Sequence, residues 1–235
     1  MDCYTVYEEF MRKTKNIFRE YKRLILALVT ANLVSLVLFS LRVIDSGGLR
    51  YWFLVWNLVL AWIPLVFAVL LSINLKKKSW SSIPNILITL MWLVFLPNSF
   101  YLVSDLIHLQ TTYEVSILYD TVLFTSFIFN SYLSGFISLF IVHKELIKRT
   151  SLKTAHIIIA SVLLLCSFAI YLGRVLRWNT WDIFLHPNSL LFDVSEQVVN
   201  DAAQSRASVT TLSFFVLLGG MYMVVWQLTR LGRRD

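Results

Sequence analysis

Charge is scarce in this chain. Of 235 residues only 15% are Asp, Glu, Lys or Arg, against roughly 25% in a soluble domain. So small a share of polar surface excludes an ordinary water-soluble globule. Cysteine is nearly absent: Cys3 and Cys166 stand far apart, which excludes a disulfide framework and a cysteine-rich zinc module. Glycine numbers 7 and proline 4, and no glycine-rich run capable of cradling a phosphate occurs, since Gly47-Gly48 falls in a short turn. No Gly-x-Ser-x-Gly elbow is present, so Ser99 and Ser104 are not read as nucleophiles. No His-Glu-x-x-His pair, internal repeat or low-complexity tract is present either.

What fills the chain instead is apolar sequence, 57% of residues with a mean hydropathy of +0.69. Six stretches, at about 24–41, 51–75, 83–103, 117–142, 154–173 and 208–228, are long enough to cross a bilayer as helix, which takes ~20 residues. A helix is the one open-ended structure that satisfies its own backbone in hydrocarbon. The first stretch, at 18 residues, is short and is expected to borrow a turn from a flank. It follows a long polar segment, 1–23, with no small-residue cleavage site after it, and so reads as a permanent span rather than a signal peptide; Cys3 lacks a lipoprotein context. The expected fold is all-α: one polytopic membrane bundle over 24–228, with a tail at 229–235.

The formal net charge is +7, and its distribution is uneven. Sixteen of the 21 Lys and Arg fall in alternate segments: the N-terminus, the second and fourth loops, and the tail. The other set, which includes Arg42, Arg50, Arg174, Arg177 and Arg206, carries eight of the 14 acids. The positive-inside rule then puts both termini in the cytoplasm. The positive charge reads as a topology signal with affinity for anionic lipid at the cytoplasmic face, not as a nucleic-acid footprint.

Polar residues gather at the opposite face. Pro97 removes a backbone donor and should break the third span near Phe95. Beyond it Asn98, Tyr101, Asp105 and His108 are spaced to share one helical stripe. After the fifth span Tyr171, Arg174, Trp178 and Asp182 would share another if the helix continued, with Arg177, Asn179 and Trp181 beside it. Asp120 opens the fourth span. Such residues near hydrocarbon should face the bundle or a wet cavity. Asn130, Ser134 and Ser138 recur every four residues deeper in the fourth span and read as helix packing rather than a conduction path. The loop 174–207 is the long one. Leu191, Val194, Val198 and Ala202 recur at helical spacing, with Glu196, Gln197, Asn200, Asp201 and Gln204 opposite: an amphipathic helix on the outer membrane surface or on the bundle.

The stretches "FLPNSFYLVSDLIHL" and "YLGRVLRWNTWDI" resemble the bacterial membrane proteins grouped as domain of unknown function family 1361. The resemblance covers most of the chain from the second span onward. It implies a bacterial polytopic membrane protein and supplies no activity; Asn98, Tyr101, Asp105, His108, Arg174, Arg177, Trp178, Asn179, Trp181 and Asp182 are the matching motif positions.

Three readings of the polar residues stay open. Asp105, Asp120 and Asp182 neutralise Arg174 and Arg177 in a structural ion-pair network. Alternatively, Asp105 with His108 and Asp182 with His186 hold a divalent metal, zinc or manganese, that activates water, with Tyr101 or an arginine stabilising an oxyanion, as in a membrane hydrolase or transferase. Or Arg174 and Arg177, with Asn98, Asn179 and Asp120 nearby, bind an anionic headgroup or small acid.

Overall fold

In the computed structural model, residues 3–110, 115–199 and 201–231 are described. Glu114, Asn200 and the tail residues Arg233, Arg234 and Asp235 lie outside the described residues, as do Asp2 and the side chains of residues 3–21, 23, 198, 201–203 and 231. The described residues form helices and no strand: α1 (Cys3–Ser46), α2 (Trp52–Asn74), α3 (Ile83–Phe95), α4 (Asn98–Tyr101) running into a 3-10 segment (Leu102–His108), α5 (Ile117–Ile147), α6 (Leu152–Val175), α7 (Asp182–Leu185), α8 (Pro187–Val199) and α9 (Asp201–Leu231). Six stretches are long and apolar enough to span a membrane: Leu24–Ser46, Trp52–Asn74, Ile83–His108, Ile117–Ile147, Leu152–Val175 and Gln204–Arg230. The expected all-α polytopic bundle is what the chain forms. The short first span gains its missing length at its end, where α1 continues through Arg42 to Ser46.

α5 is the central post. In its most apolar stretch 61% of residues are buried, against 17% for the spans in α1 and α9. At 31 residues it is about 46 Å long at 1.5 Å per residue. Hydrocarbon offers no hydrophobic drive for helices to associate, so close approach and polar stitches hold the bundle. Asn130 donates to the carbonyl of Ala31 (2.9 Å) and to Ser35 Oγ (2.7 Å), tying α5 to α1. Trp92 Nε1 donates to Ser138 Oγ at 2.7 Å, tying α3 to α5. Asn130, Ser134 and Ser138 are all buried, so the polar stripe of α5 serves packing.

Two ends of the bundle differ in chemistry. At the basic end the α5 terminus carries Glu145, which accepts from Lys148 and Arg149 at 2.6 Å each, while Arg149 reaches the α2 terminus at the Leu75 carbonyl, 2.9 Å away. The other end, where α2 and α5 begin and α6 stops, holds the polar residues singled out above.

Pro97 shapes that end. α3 stops at Phe95 as its sequence predicts, and the chain restarts at once as α4. The displaced backbone is caught from both sides. Ser99 Oγ donates to the Ala61 carbonyl on α2 at 2.9 Å, and Ser131 Oγ on α5 donates to the Ser99 carbonyl at 2.7 Å. Gly135 permits this approach: a Cβ there would stand 2.6 Å from Ser99 Cβ and 2.8 Å from the Phe100 ring.

Candidate functional site

The broken third span turns Asn98, Tyr101, Asp105 and His108 into one cavity of about 350 Å³, between α2, the α4/3-10 unit, α6 and the 177–190 segment. Small-molecule sites occupy roughly 300–1,000 Å³. The segment after α4 winds as a 3-10 helix, which keeps residues three apart in line; Asp105 and His108 therefore stay on the same side as the sequence stripe requires.

Arg174 lies in the last turn of α6, where a cation also complements the helix dipole. Its guanidinium organises the cavity wall. It forms an ion pair with Asp105 and donates to Ser104 Oγ from Nε at 3.0 Å and from Nη2 at 2.8 Å. Its Nη1 lies 3.3 Å from His108 Nε2, and its plane covers the Tyr101 ring at 4.5 Å. Asp105 is 2% exposed, and its second oxygen accepts from Asn57 Nδ2 at 2.8 Å. A buried carboxylate thus has a cation on one oxygen and an amide on the other, which is what its burial demands. Gly173 makes room: a Cβ there would lie 3.3 Å from the Tyr101 ring and 3.3 Å from the Trp178 carbonyl.

The chain beyond α6 does not continue the helix. Arg177 adopts a left-handed φ of 61°, and the turn closes with the Trp178 N–H on the Leu172 carbonyl at 3.3 Å. The expected stripe of Tyr171, Arg174, Trp178 and Asp182 is therefore corrected. Tyr171 is buried and donates to Gln197 Oε1 at 2.7 Å, away from the cavity. Arg177 is exposed and not among the cavity residues. The turn does bring Trp178, Asn179, Thr180 and Trp181 back over the cavity. Thr180 is held by Asn98 Nδ2 at 3.0 Å, and Trp178 Nε1 donates to Asp193 Oδ2 at 2.9 Å.

Two aspartates are elsewhere than the ion-pair reading put them. Asp120 pairs with Arg42 at 2.8 Å, with side chains 0% and 1% exposed, joining α5 to α1 instead of meeting Arg174 or Arg177. Asp182 is a local cap: its Oδ2 accepts the Asn179 N–H at 2.7 Å. Its helical neighbour His186 is exposed at the α7–α8 junction. Among the described residues no three His, Cys, Asp or Glu side chains converge as a metal site requires. Asp105 and His108 also share the Arg174 guanidinium, a fixed positive charge beside any cation they would hold.

The surface helix seats on the bundle by a face that its sequence pattern does not single out. Gln197 of α8 is 7% exposed and faces Tyr171, while Leu191 and Phe192 are 67% and 69% exposed. The face toward the bundle is mixed: Gln197 is buried and Leu190, Asp193 and Val194 are half-buried, while Glu196 of the polar side is exposed like Leu191. Asn57, Thr180 and Arg42 were not singled out in the sequence. The signals were an amide, Asn57, in the apolar first half of the span 51–75 and an arginine just past a span that was too short.

Fold and site together define a multi-pass α-helical membrane protein with a polar cavity built around an Arg–Asp pair at one end of the bundle. A family model described as "Protein of unknown function (DUF1361)" matches residues 56–225, well over half of the chain, and the protein belongs to that family. Neither a curated protein nor a solved structure matches it.

Proposed function

We propose that the protein is a bacterial cytoplasmic-membrane binding protein that holds a small acid, or the anionic headgroup of an amphiphile, in the cavity around Arg174. The basic end faces the cytoplasm with both termini, and the cavity opens at the outer leaflet; the segregation of Lys and Arg supports this orientation.

The observation that carries the reading is the donor balance at Arg174. Of its five N–H groups, four are directed at Ser104, Asp105 and His108. Arginine cannot accept, so His108 Nε2 must accept, and the neutral ring then carries its proton on Nδ1. One guanidinium N–H and the imidazole N–H thus remain beside the cavity, and Asn179 lines it too. A surplus of donors suits an oxygen-rich ligand. Asp105 offsets the arginine charge, which favours a ligand of low net charge over a polyphosphate. The walls are apolar, with Trp56, Leu60, Val94, Leu172, Ile183 and Leu190, and suit a ligand with a hydrocarbon part. The ion pair is structural as well, since it builds this wall. The metal-assisted reading has less support, because His108 Nε2 is already engaged by a guanidinium.

The test is native mass spectrometry of protein extracted directly into nanodiscs from its membrane. Wild type is compared with Ala169→Phe, which fills the cavity from α6 without touching the ion pair. A bound acid or lipid present in wild type and lost from a variant of unchanged melting temperature is the expected result. The same adduct on both proteins, or none on wild type, would sink the reading.

A further inference from the structure

A second groove lies at the basic end, between the end of α5, the start of α6 and the end of α9, with a volume of about 240 Å³. It lies at the opposite end of α6 from the polar cavity and is independent of the reading above. Lys144, Lys148 and Arg230 border it, and Phe140, Ile147, Leu152 and Trp226 form its walls.

The cations are placed by aromatic faces. Lys144 Nζ lies 5.6 Å from the Phe140 ring centre, and the Arg230 guanidinium lies 5.4 Å from that of Trp226. Such contacts hold a charged head at the rim while its stem covers apolar surface. Trp226 is itself fixed. The buried His143 ring stacks on it at 4.3 Å, and His143 Nδ1 lies 2.8 Å from Tyr222 Oη on the same helix as Trp226. The wall is therefore built before any ligand arrives. Glu145, next to Lys144 in the chain, is buried and engaged by Lys148, Arg149 and, at 3.4 Å, Ser72 of α2. Lys148 and Arg149 both pair with that carboxylate, so the three groups together keep one positive charge, to which Lys144 and Arg230 at the rim add.

Cations at the level where three spans end, above an aromatic and aliphatic wall that runs into the spans, match an amphiphile with a phosphate at its head. A free phosphate would use the cations and leave the wall idle. We propose that this groove binds one anionic phospholipid, its phosphate held by Lys144, Lys148 and Arg230 and its acyl chain lying against Phe140 and Trp226. Basic pockets between spans on the cytoplasmic side recognise lipid headgroups by this combination.

The probe is phosphatidylglycerol, present as a minor component of phosphatidylcholine nanodiscs holding the full chain. Lipid retained by the protein is counted by native mass spectrometry. The double variant Lys144→Gln with Arg230→Gln is set beside Lys76→Gln with Lys78→Gln, a pair at the same end but outside the groove. Retention of phosphatidylglycerol should fall about tenfold in the groove variant, each tenfold being 1.4 kcal/mol, and stay at the wild-type level in the control. Arg230→Gln alone, at the end of α9, gives a smaller loss in the same direction and serves if the double variant does not fold. Equal retention in groove variant and wild type, an equal loss in the control pair, or release of the lipid by inorganic phosphate would each overturn the proposal.

Discussion

Arg174 Nη1 lies 3.3 Å from His108 Nε2, and this contact assigns the histidine tautomer. A guanidinium has only donors, so the nitrogen facing it is the bare one and Nδ1 bears the hydrogen. Nitrogen-15 NMR of histidine-labelled protein at neutral pH should show His108 protonated on Nδ1. Arg174→Gln should let the ring populate both tautomers. A wild-type ring protonated on Nε2 would show that the guanidinium does not face it in solution.

The Arg42–Asp120 pair supports a stability prediction. Both side chains are essentially inaccessible, and the pair is a polar bridge between α1 and α5. Asp120→Asn leaves a buried arginine with no counter-charge, which costs about 3–5 kcal/mol in the interior of a protein. Arg42→Met combined with Asp120→Leu removes both charges and should recover most of that loss. Thermal unfolding in a mild detergent reads both; equal destabilisation by the single and double changes would contradict the pairing.

Gly135 and Gly219 make a matched contrast. A methyl group at Gly135 would collide with Ser99 and Phe100, whereas nothing lies within 4 Å of the position it would take at Gly219. Gly135→Ala should destabilise by about 1–3 kcal/mol through forced separation of α4 from α5. Gly219→Ala should be neutral or stabilising by up to ~1 kcal/mol, since alanine is the better helix former. Melting temperatures of the two variants in the same detergent decide it.

His143 Nδ1 meets Tyr222 Oη at 2.8 Å, and its Nε2 has no hydrogen-bond partner among the described residues. Tyr222→Phe removes that contact and should cost about 1–2 kcal/mol, the range for a buried polar group left unpaired. A double-mutant cycle with His143→Phe should show the two changes to be less than additive. Strict additivity would mean that the two side chains do not interact.

Much of this architecture was legible in the sequence because hydrocarbon imposes strong rules. Six apolar stretches had to be helices, and Pro97 had to end one of them near Phe95. Asn98, Tyr101, Asp105 and His108 still line one cavity after the change from α to 3-10 winding, which keeps Asp105 and His108, three apart, in line. What spacing could not show was pairing across the chain. Arg42 and Asp120 are 78 positions apart, and a topology count placed Arg42 in a loop while the helix in fact runs on to Ser46. The turn at Arg177 was equally hidden: a left-handed φ at an arginine has no sequence signature, yet it decides that Trp178 and Thr180 return to the cavity. In α8 periodicity identified a helix, but the face it buries mixes Gln197, held by Tyr171, with half-buried Leu190 and Val194.

The bridge between α1 and α5 also says something about the order in which the protein is made. Arg42 emerges from the ribosome with the first span, while Asp120 comes at the start of the fourth. For the synthesis of two intervening spans, the guanidinium near the end of the first helix is without the carboxylate it pairs with in the fold. The α1–α5 bridge can therefore close only when α5 arrives. One of the two most exposed spans among the described residues is thus made well before the partner that fixes its place.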